Sequence, residues 1–224
     1  MRSRVLSVDT TSKSAGLALL LGGEVVGQSG IESADGFGHL LFGEIERLLG
    51  RHGWTLDSVD CFAAAAGPGS FTGIRVGLAA VKGLGEALGR PVAAVSNLQA
   101  VAWHGTAPLR AALIDARRGE VYAALYSASL QAVLPETVTG LQAWLRALPD
   151  SEIELLCADA SLLGAALEAT PGRRLAPRQV PRALAIAVGS IAASRLAEGL
   201  AVAPADADAN YVRRSDAELF WRDW

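Results

Sequence analysis

The chain has 224 residues, is 51% hydrophobic, and carries 20 Lys and Arg against 23 Asp and Glu, a net charge of -3 at pH 7. That length allows one large domain or two small lobes. The mild acidity gives no support to broad, sequence-independent nucleic-acid binding, which needs cationic surface. Cys61 and Cys157 lie in apolar runs without metal-ligand spacing, the pattern of buried reduced thiols.

The N-terminal MRSRVLSVDTT has no apolar h-region ahead of Asp9, so no signal peptide is expected. The longest uncharged apolar stretch, Ala183 to Ser194, is too short to span a bilayer. These features predict a soluble cytoplasmic protein with no membrane partner.

In chain order, Val5 to Val8 predicts a strand ending at Asp9, and Ala15 to Leu21 a second strand. Gly22 and Gly23 then give a two-residue hairpin signal, and Glu24 to Ile31 a third strand. From His39 to Arg51 the apolar residues follow helical spacing. Val59 to Ala66 predicts a buried strand and Thr72 to Leu88 a helix stopped by Gly89. Val92 to Val95 predicts a strand, and Asn97 to Trp103 a helix.

The second half repeats the order. Leu109 to Asp115, Val121 to Tyr126 and Ala132 to Val138 predict strands. A helix over Leu141 to Leu148, a strand over Ile153 to Cys157 and a short helix over Leu162 to Glu168 follow. A long helix is predicted over Ala183 to Leu200. Two βββαβα lobes, each opening with a strand that ends in aspartate, predict an α/β protein of the duplicated ribonuclease-H-like, actin-like (ASKHA) class. The expected division is 1–106, 107–204, and a closing segment 205–224 that returns over the first lobe. Element order bears on fold more than on function.

The nine residues GPGSFTGIR, from Gly67 to Arg75, resemble a phosphate cradle, but neither phosphate motif fits. The sixth position of a Walker A loop falls on Thr72 with no Lys following, and the third glycine of a dinucleotide fingerprint is again Thr72. Ser70 and Thr72 remain candidate helix caps or anion contacts. Gly73, Gly77, Ala80 and Gly83 recur three or four apart. Such a stripe lets a backbone approach closely, either the chain's own sheet or another chain. Ile74, Leu78 and Val81 form the adjoining apolar stripe, and Lys82 and Glu86 read as a solvated i,i+4 pair.

Asp9, with Thr10 and Thr11, is a candidate nucleotide or anion site through a metal-bound water. The alternative is a turn aspartate bonded to its own backbone. Asp115 is its counterpart in the second half, with Arg117 and Glu120. His39, His52 and His104 have no ligand spacing, so no metal site is expected. His39 reads as a capping or interface residue, and no nucleophile with its base is legible.

GPGSFTGIRVGLAAVKGLGEALGRPVAAVS resembles the bacterial TsaB (YeaZ) family and, more distantly, its catalytic paralogue TsaD. LSVDTTSKSAGLALL, HLLFGEIERLL, LIDARRGEVYAALY and NYVRRSDAE extend the resemblance over nearly the whole chain. It weakens from Gln131 to Ala203, and the proline expected just before NYVR is absent. TsaD-like sequences carry an H-x-E-G-H-type segment whose histidines bind the catalytic metal. The matching stretch here is VSNLQAV, with Asn97 and Val101 at the histidine positions and Gln99 at the glutamate.

The resemblance implies an actin-like, non-catalytic platform. It would bind TsaD and act with the ATPase TsaE in forming threonylcarbamoyladenosine at position 37 of tRNAs reading ANN codons, meeting tRNA only through the complex. It also implies pairing with TsaD, or self-pairing as a homodimer, through the two first-lobe helices. The interface residues expected there are His39, Leu40, Phe42, Gly43, Arg47, Gly73, Ile74, Gly77, Leu78 and Val81. No resident cofactor is implied, with ATP or ADP and magnesium at the complex interface left open. The rival reading is a nucleotide hydrolase or kinase using Asp9 and Asp115, and a third is a self-contained homodimer.

Overall fold

The computed structural model describes residues 2–33 and 36–213. The first half forms β1 (Arg4–Asp9), β2 (Ser14–Leu21), β3 (Glu24–Glu32), α1 (Gly38–Arg51), β4 (Cys61–Ala65), α2 (Phe71–Leu88), β5 (Val92–Val95) and α3 (Asn97–Trp103). The second half forms β6 (Leu109–Arg117), β7 (Glu120–Ser127), β8 (Ala132–Gly140), α4 (Leu141–Ala147), β9 (Ile153–Cys157), α5 (Ala160–Glu168), β10 (Leu175–Gln179) and α6 (Ala185–Ala197).

The first sheet runs β3-β2-β1-β4-β5 and the second β10-β9-β6-β7-β8. Read from its third strand, each half has the same order, so the repeat seen in the sequence is a repeat of topology. The β2–β3 turn follows its residues. Gly22 and Gly23 both take positive φ, 60° and 85°, which the twist of a two-residue hairpin favours and which glycine adopts without steric cost.

Side chains that alternate along β1, β2 and β4 supply two cores. Leu6, Val8, Leu17, Leu19 and Phe62 face α1 and α2, which contribute Leu41, Ile45, Leu48, Ile74, Leu78 and Val81. Val5, Ala18, Leu20, Cys61 and Ala63 face the other way, toward α6 residues Val188, Ile191 and Ala192. The outer face of the second sheet packs on α4 and α5 through Leu113, Leu125, Trp144, Leu145 and Leu163.

The final helix of each half covers the other half's sheet. Helix α3 packs on β6 and β7, and α6 packs on β1, β2, β4 and β5. The result is a stack of layers: α1 with α2, the first sheet, α3 with α6, the second sheet, and α4 with α5.

Three sequence expectations change. Strand β10 has no counterpart among the predicted elements, because LAPRQ holds a proline and no alternation. It is an exposed edge strand whose register comes from pairing parallel to β9. Lys82 is no solvated partner of Glu86; its ammonium donates to the carbonyls of Ala207 at 2.7 Å and Ala205 at 3.4 Å. The long helix begins at Ala185 and ends at Ala197. Of the closing segment, 214–224 lie outside the described residues.

Candidate functional site

Asp9 ends β1 and is fully buried. One carboxylate oxygen accepts the backbone N–H of Thr11 at 2.9 Å and its hydroxyl at 2.6 Å. The other accepts the N–H of Leu184, the N-cap residue of α6, at 2.8 Å. Burial pushes the carboxyl above its ordinary range, against the pull of the Thr11 and Leu184 donors. Both oxygens are therefore committed to the fold, and the aspartate joins a turn of its own half to the helix that arrives from the other.

Thr10 and Thr11 are equally occupied. Thr10 donates its hydroxyl to the carbonyl of Gly73 at 2.6 Å. Thr11 Oγ1 donates to Asp9 and accepts from Asn97 Nδ2 at 2.6 Å. Asp115, the counterpart of Asp9, is exposed and accepts the N–H of Arg117 at 2.8 Å. The two aspartates hold equivalent topological positions in different environments.

The Gly67–Arg75 stretch is a tight strand-to-helix turn. Ser70 is the N-cap of α2 and accepts from Gly73 N–H at 3.2 Å. Gly67 N–H donates to Asn97 Oδ1 at 3.0 Å, and Ser70 N–H to the carbonyl of Thr11 at 2.9 Å. These donors of a would-be anion cradle are used internally. Thr72 is exposed in the first turn of α2.

Of the small-residue stripe, Gly73, Gly77 and Ala80 face inward and Gly83 is exposed. A Cβ on Gly73 would stand 1.9 Å from the carbonyl oxygen of Thr10, and one on Gly77 would stand 2.7 Å from its hydroxyl. Ile74, Leu78 and Val81 are buried in the core beneath α2. Of the residues expected at an interface, Gly73, Ile74, Gly77, Leu78 and Val81 are thus buried within this chain's own fold. Gly73 and Gly77 lie against the Thr10 turn, because only glycine lets α2 approach the Thr10 backbone so closely.

Helix α1 divides differently. Leu41, Ile45, Leu48 and Leu49 are buried, whereas His39, Phe42, Gly43 and Arg47 are exposed and Leu40 is half-buried. His39 is the second residue of the helix, and the cap position belongs to Phe37 with no side-chain bond, so His39 does not cap. Phe42 is 54% exposed and Phe71, at the head of α2, 47%. Arg47 pairs with Glu44.

Asn97, Gln99 and Val101 are the positions that the family resemblance matches to the TsaD-type histidines and glutamate. Asn97 is spent on Gly67 and Thr11, Val101 is a core residue, and Gln99 accepts from Arg195 at 2.8 Å and donates to the carbonyl of Leu130 at 3.2 Å. Two amides and an isopropyl group engaged in this way do not fit a metal centre. Burial pushes the Cys61 thiol up to about 12 and that of Cys157 to about 11, so neither is poised as a thiolate.

An open groove of 890 Å³ lies between the halves, lined by Ser96, Gln99, Tyr126, Glu136, Arg195 and Asn210 among others. Its polar walls are bonded to one another. Tyr126 donates to Glu136 at 2.6 Å, Asn210 donates to the same carboxylate at 2.6 Å, and Arg195 donates to the carbonyl of Ala94 at 2.6 Å. Neither Asp9 nor Asp115 lines it. The roles of Asn210 and Arg195 escape sequence reasoning, because Asn210 reaches Glu136 and Gly67 across 74 and 143 residues and Arg195 reaches Gln99 and Ala94 across 96 and 101.

Two sheets of one topology, with their last helices exchanged, place the chain in the actin-like duplicated ribonuclease-H-like class. Component A of (R)-2-hydroxyglutaryl-CoA dehydratase from Acidaminococcus fermentans shares this fold, with a TM-score of 0.53 at 10% identity, over 87% of this chain and 99% of that one. A family model described as TsaD: tRNA N6-adenosine threonylcarbamoyltransferase matches residues 34–221.

The tRNA threonylcarbamoyladenosine biosynthesis protein TsaB of Bacillus subtilis is 30% identical over 157 residues, 68% of this chain and 69% of the relative. The protein of that name from Haemophilus influenzae is 36% identical over 122 residues, 53% of this chain and 51% of the relative. YeaZ from Pseudomonas aeruginosa superposes with a TM-score of 0.78 at 28% identity, covering 93% of this chain and 99% of that one. The chain belongs to the TsaB (YeaZ) family.

Proposed function

We propose that this chain takes part in tRNA threonylcarbamoyladenosine biosynthesis as a non-catalytic scaffold subunit. It binds a TsaD-type threonylcarbamoyltransferase, works with the ATPase TsaE, pairs with itself when alone, and meets tRNA only through the complex. The observation that carries the reading is the fate of Asn97, Gln99 and Val101 in a member of this family. The positions that the resemblance matches to the catalyst's metal ligands hold side chains committed to the fold of this chain, which supports the reading.

The burial of Asp9 weighs against the hydrolase reading, since its carboxylate is shielded from solvent and both its oxygens already accept donors of the fold, from Thr11 and Leu184. The exposed face of α1, with His39, Phe42, Gly43 and Arg47, and the Phe71 ring at the head of α2 supply the docking surface in this reading. Large exposed aromatic side chains favour protein contacts.

The test is tRNA modification reconstituted from the TsaD-type enzyme and TsaE with and without this chain. Modification that depends on the chain, and survives Asp115→Ala, supports the scaffold reading. Modification at the same rate without the chain overturns it. Nucleotide turnover by the chain alone that Asp115→Ala removes would establish the enzyme reading instead.

A further inference from the structure

Residues 203–213 cross from the first sheet to the second and on the way contact the end of β4, the Gly67 turn and α2. The crossing starts where Val202 forms an antiparallel bridge with Val92 at the edge of β5. Lys82 of α2 then holds the carbonyls of Ala205 and Ala207.

Asn210 is the central tie. Its N–H donates to the carbonyl of Ala66 at 2.8 Å, and its amide to the carbonyl of Gly67 at 3.2 Å and to Glu136 of β8 at 2.6 Å. One side chain thus bridges the turn before α2 and the second sheet. Tyr211 turns outward over α2, with its ring 5.6 Å from that of Phe71 and its hydroxyl accepting from Arg75 at 3.3 Å. The Arg75 guanidinium lies 3.8 Å from the Phe71 centroid. Arg213 turns the other way, pairing with Glu120, donating to the carbonyl of Ala116 at 3.0 Å and lying 5.5 Å from the Tyr122 ring centroid.

We propose that residues 203–213 are a latch that couples the second sheet to the surface at the head of α2. With Asn210 and Arg213 seated on β8 and the β6–β7 turn, Tyr211 is held against Phe71 and Arg75 and the Gly67 turn is closed. When the two anchors release, that surface and that turn loosen together. Asn210 contacts both halves, Tyr211 the first and Arg213 the second, within four residues of one segment, so the second sheet reaches Phe71 through a few bonds that form or break as a unit.

The test is amide hydrogen exchange on the full chain under native conditions, comparing the wild type with Arg213→Ala and Glu136→Ala. Neither residue touches α2. The latch predicts that each variant raises exchange across residues 66–75 by about tenfold or more, as expected when a local opening becomes easier. Faster exchange confined to 116–122 in Arg213→Ala and to 126–136 in Glu136→Ala overturns it. If Arg213→Ala does not fold, Glu120→Gln weakens the same anchor while keeping the bond to Ala116 and is read in the same way. Stability changes of Arg213→Ala and Arg75→Ala are expected to be non-additive in a double-mutant cycle, and additive changes also overturn the latch.

Discussion

The carboxylate of Asp9 accepts the backbone N–H of Leu184 at 2.8 Å, joining residues 175 apart in sequence. Two residues earlier, Ser7 donates its hydroxyl to the carbonyl of Ala185 at 2.7 Å. Together they fix the N-terminus of α6 on β1. Replacing Asp9 by Ala leaves the Leu184 donor and the Thr11 hydroxyl unsatisfied in the interior, which is expected to cost about 2 to 4 kcal/mol. Asp115→Ala, at an exposed turn, is expected to cost under about 1 kcal/mol. Urea unfolding of both variants measures the contrast, and equal effects would contradict the structural assignment of Asp9.

The glycines of α2 separate by face. Gly73→Ala drives a methyl into the Thr10 carbonyl and is expected to cost about 3 kcal/mol or more, with loss of folded yield. A methyl at Gly83 would meet nothing within 4 Å, so Gly83→Ala is expected to stabilise by about 0.5 to 1 kcal/mol through helix propensity. Thermal midpoints of the two variants should move in opposite directions.

Phe42 stands 54% exposed on α1. Phe42→Asp is expected to change stability by less than about 0.5 kcal/mol. If α1 docks the TsaD-type enzyme, the same change weakens association by about a hundredfold, the scale of a central aromatic contact. Co-purification and sizing with the partner check this, and unchanged association places the interface elsewhere.

Glu154 gives a pH signature. Burial works to raise its carboxyl, but the N–H groups of Ala107 and Thr106 and the Arg178 guanidinium outweigh it and hold the group below its ordinary 4.5. A folded-state value below the unfolded one contributes stability that is present above the unfolded value and lost as pH falls through the folded one. Glu154→Gln is therefore expected to flatten the acid limb of the stability curve, read as urea midpoints from neutral pH down through the carboxylate range. Asp9 has the opposite sign, because its carboxyl is raised above 3.8, so its contribution declines as pH rises.

Much of the architecture is legible in the sequence because it rests on local periodicity. The hairpin at Gly22 and Gly23, the helix stop at Gly89 and the strand run at Cys61–Ala65 need only neighbouring residues to specify them. Strand β10 is illegible for the complementary reason, since its support is β9 beside it. The stripe of Gly73 and Gly77 announces close packing but not the partner. Spacing records that a backbone comes near, and only the Thr10 oxygen identifies which one.

The sequence by itself determined the duplicated strand order, the strand that ends at Asp9 and the glycine-lined helix, all consequences of short-range pattern, whereas the strand predicted to end at Asp115 runs on to Arg117. The tertiary structure alone decided that α3 and α6 change places, that Asp9 serves Leu184, and that Asn210 ties Gly67 to Glu136. Those hydrogen bonds join residues 74 to 175 positions apart, and hydrogen-bond valence is assigned only when the folded chain brings donor and acceptor within about 3 Å.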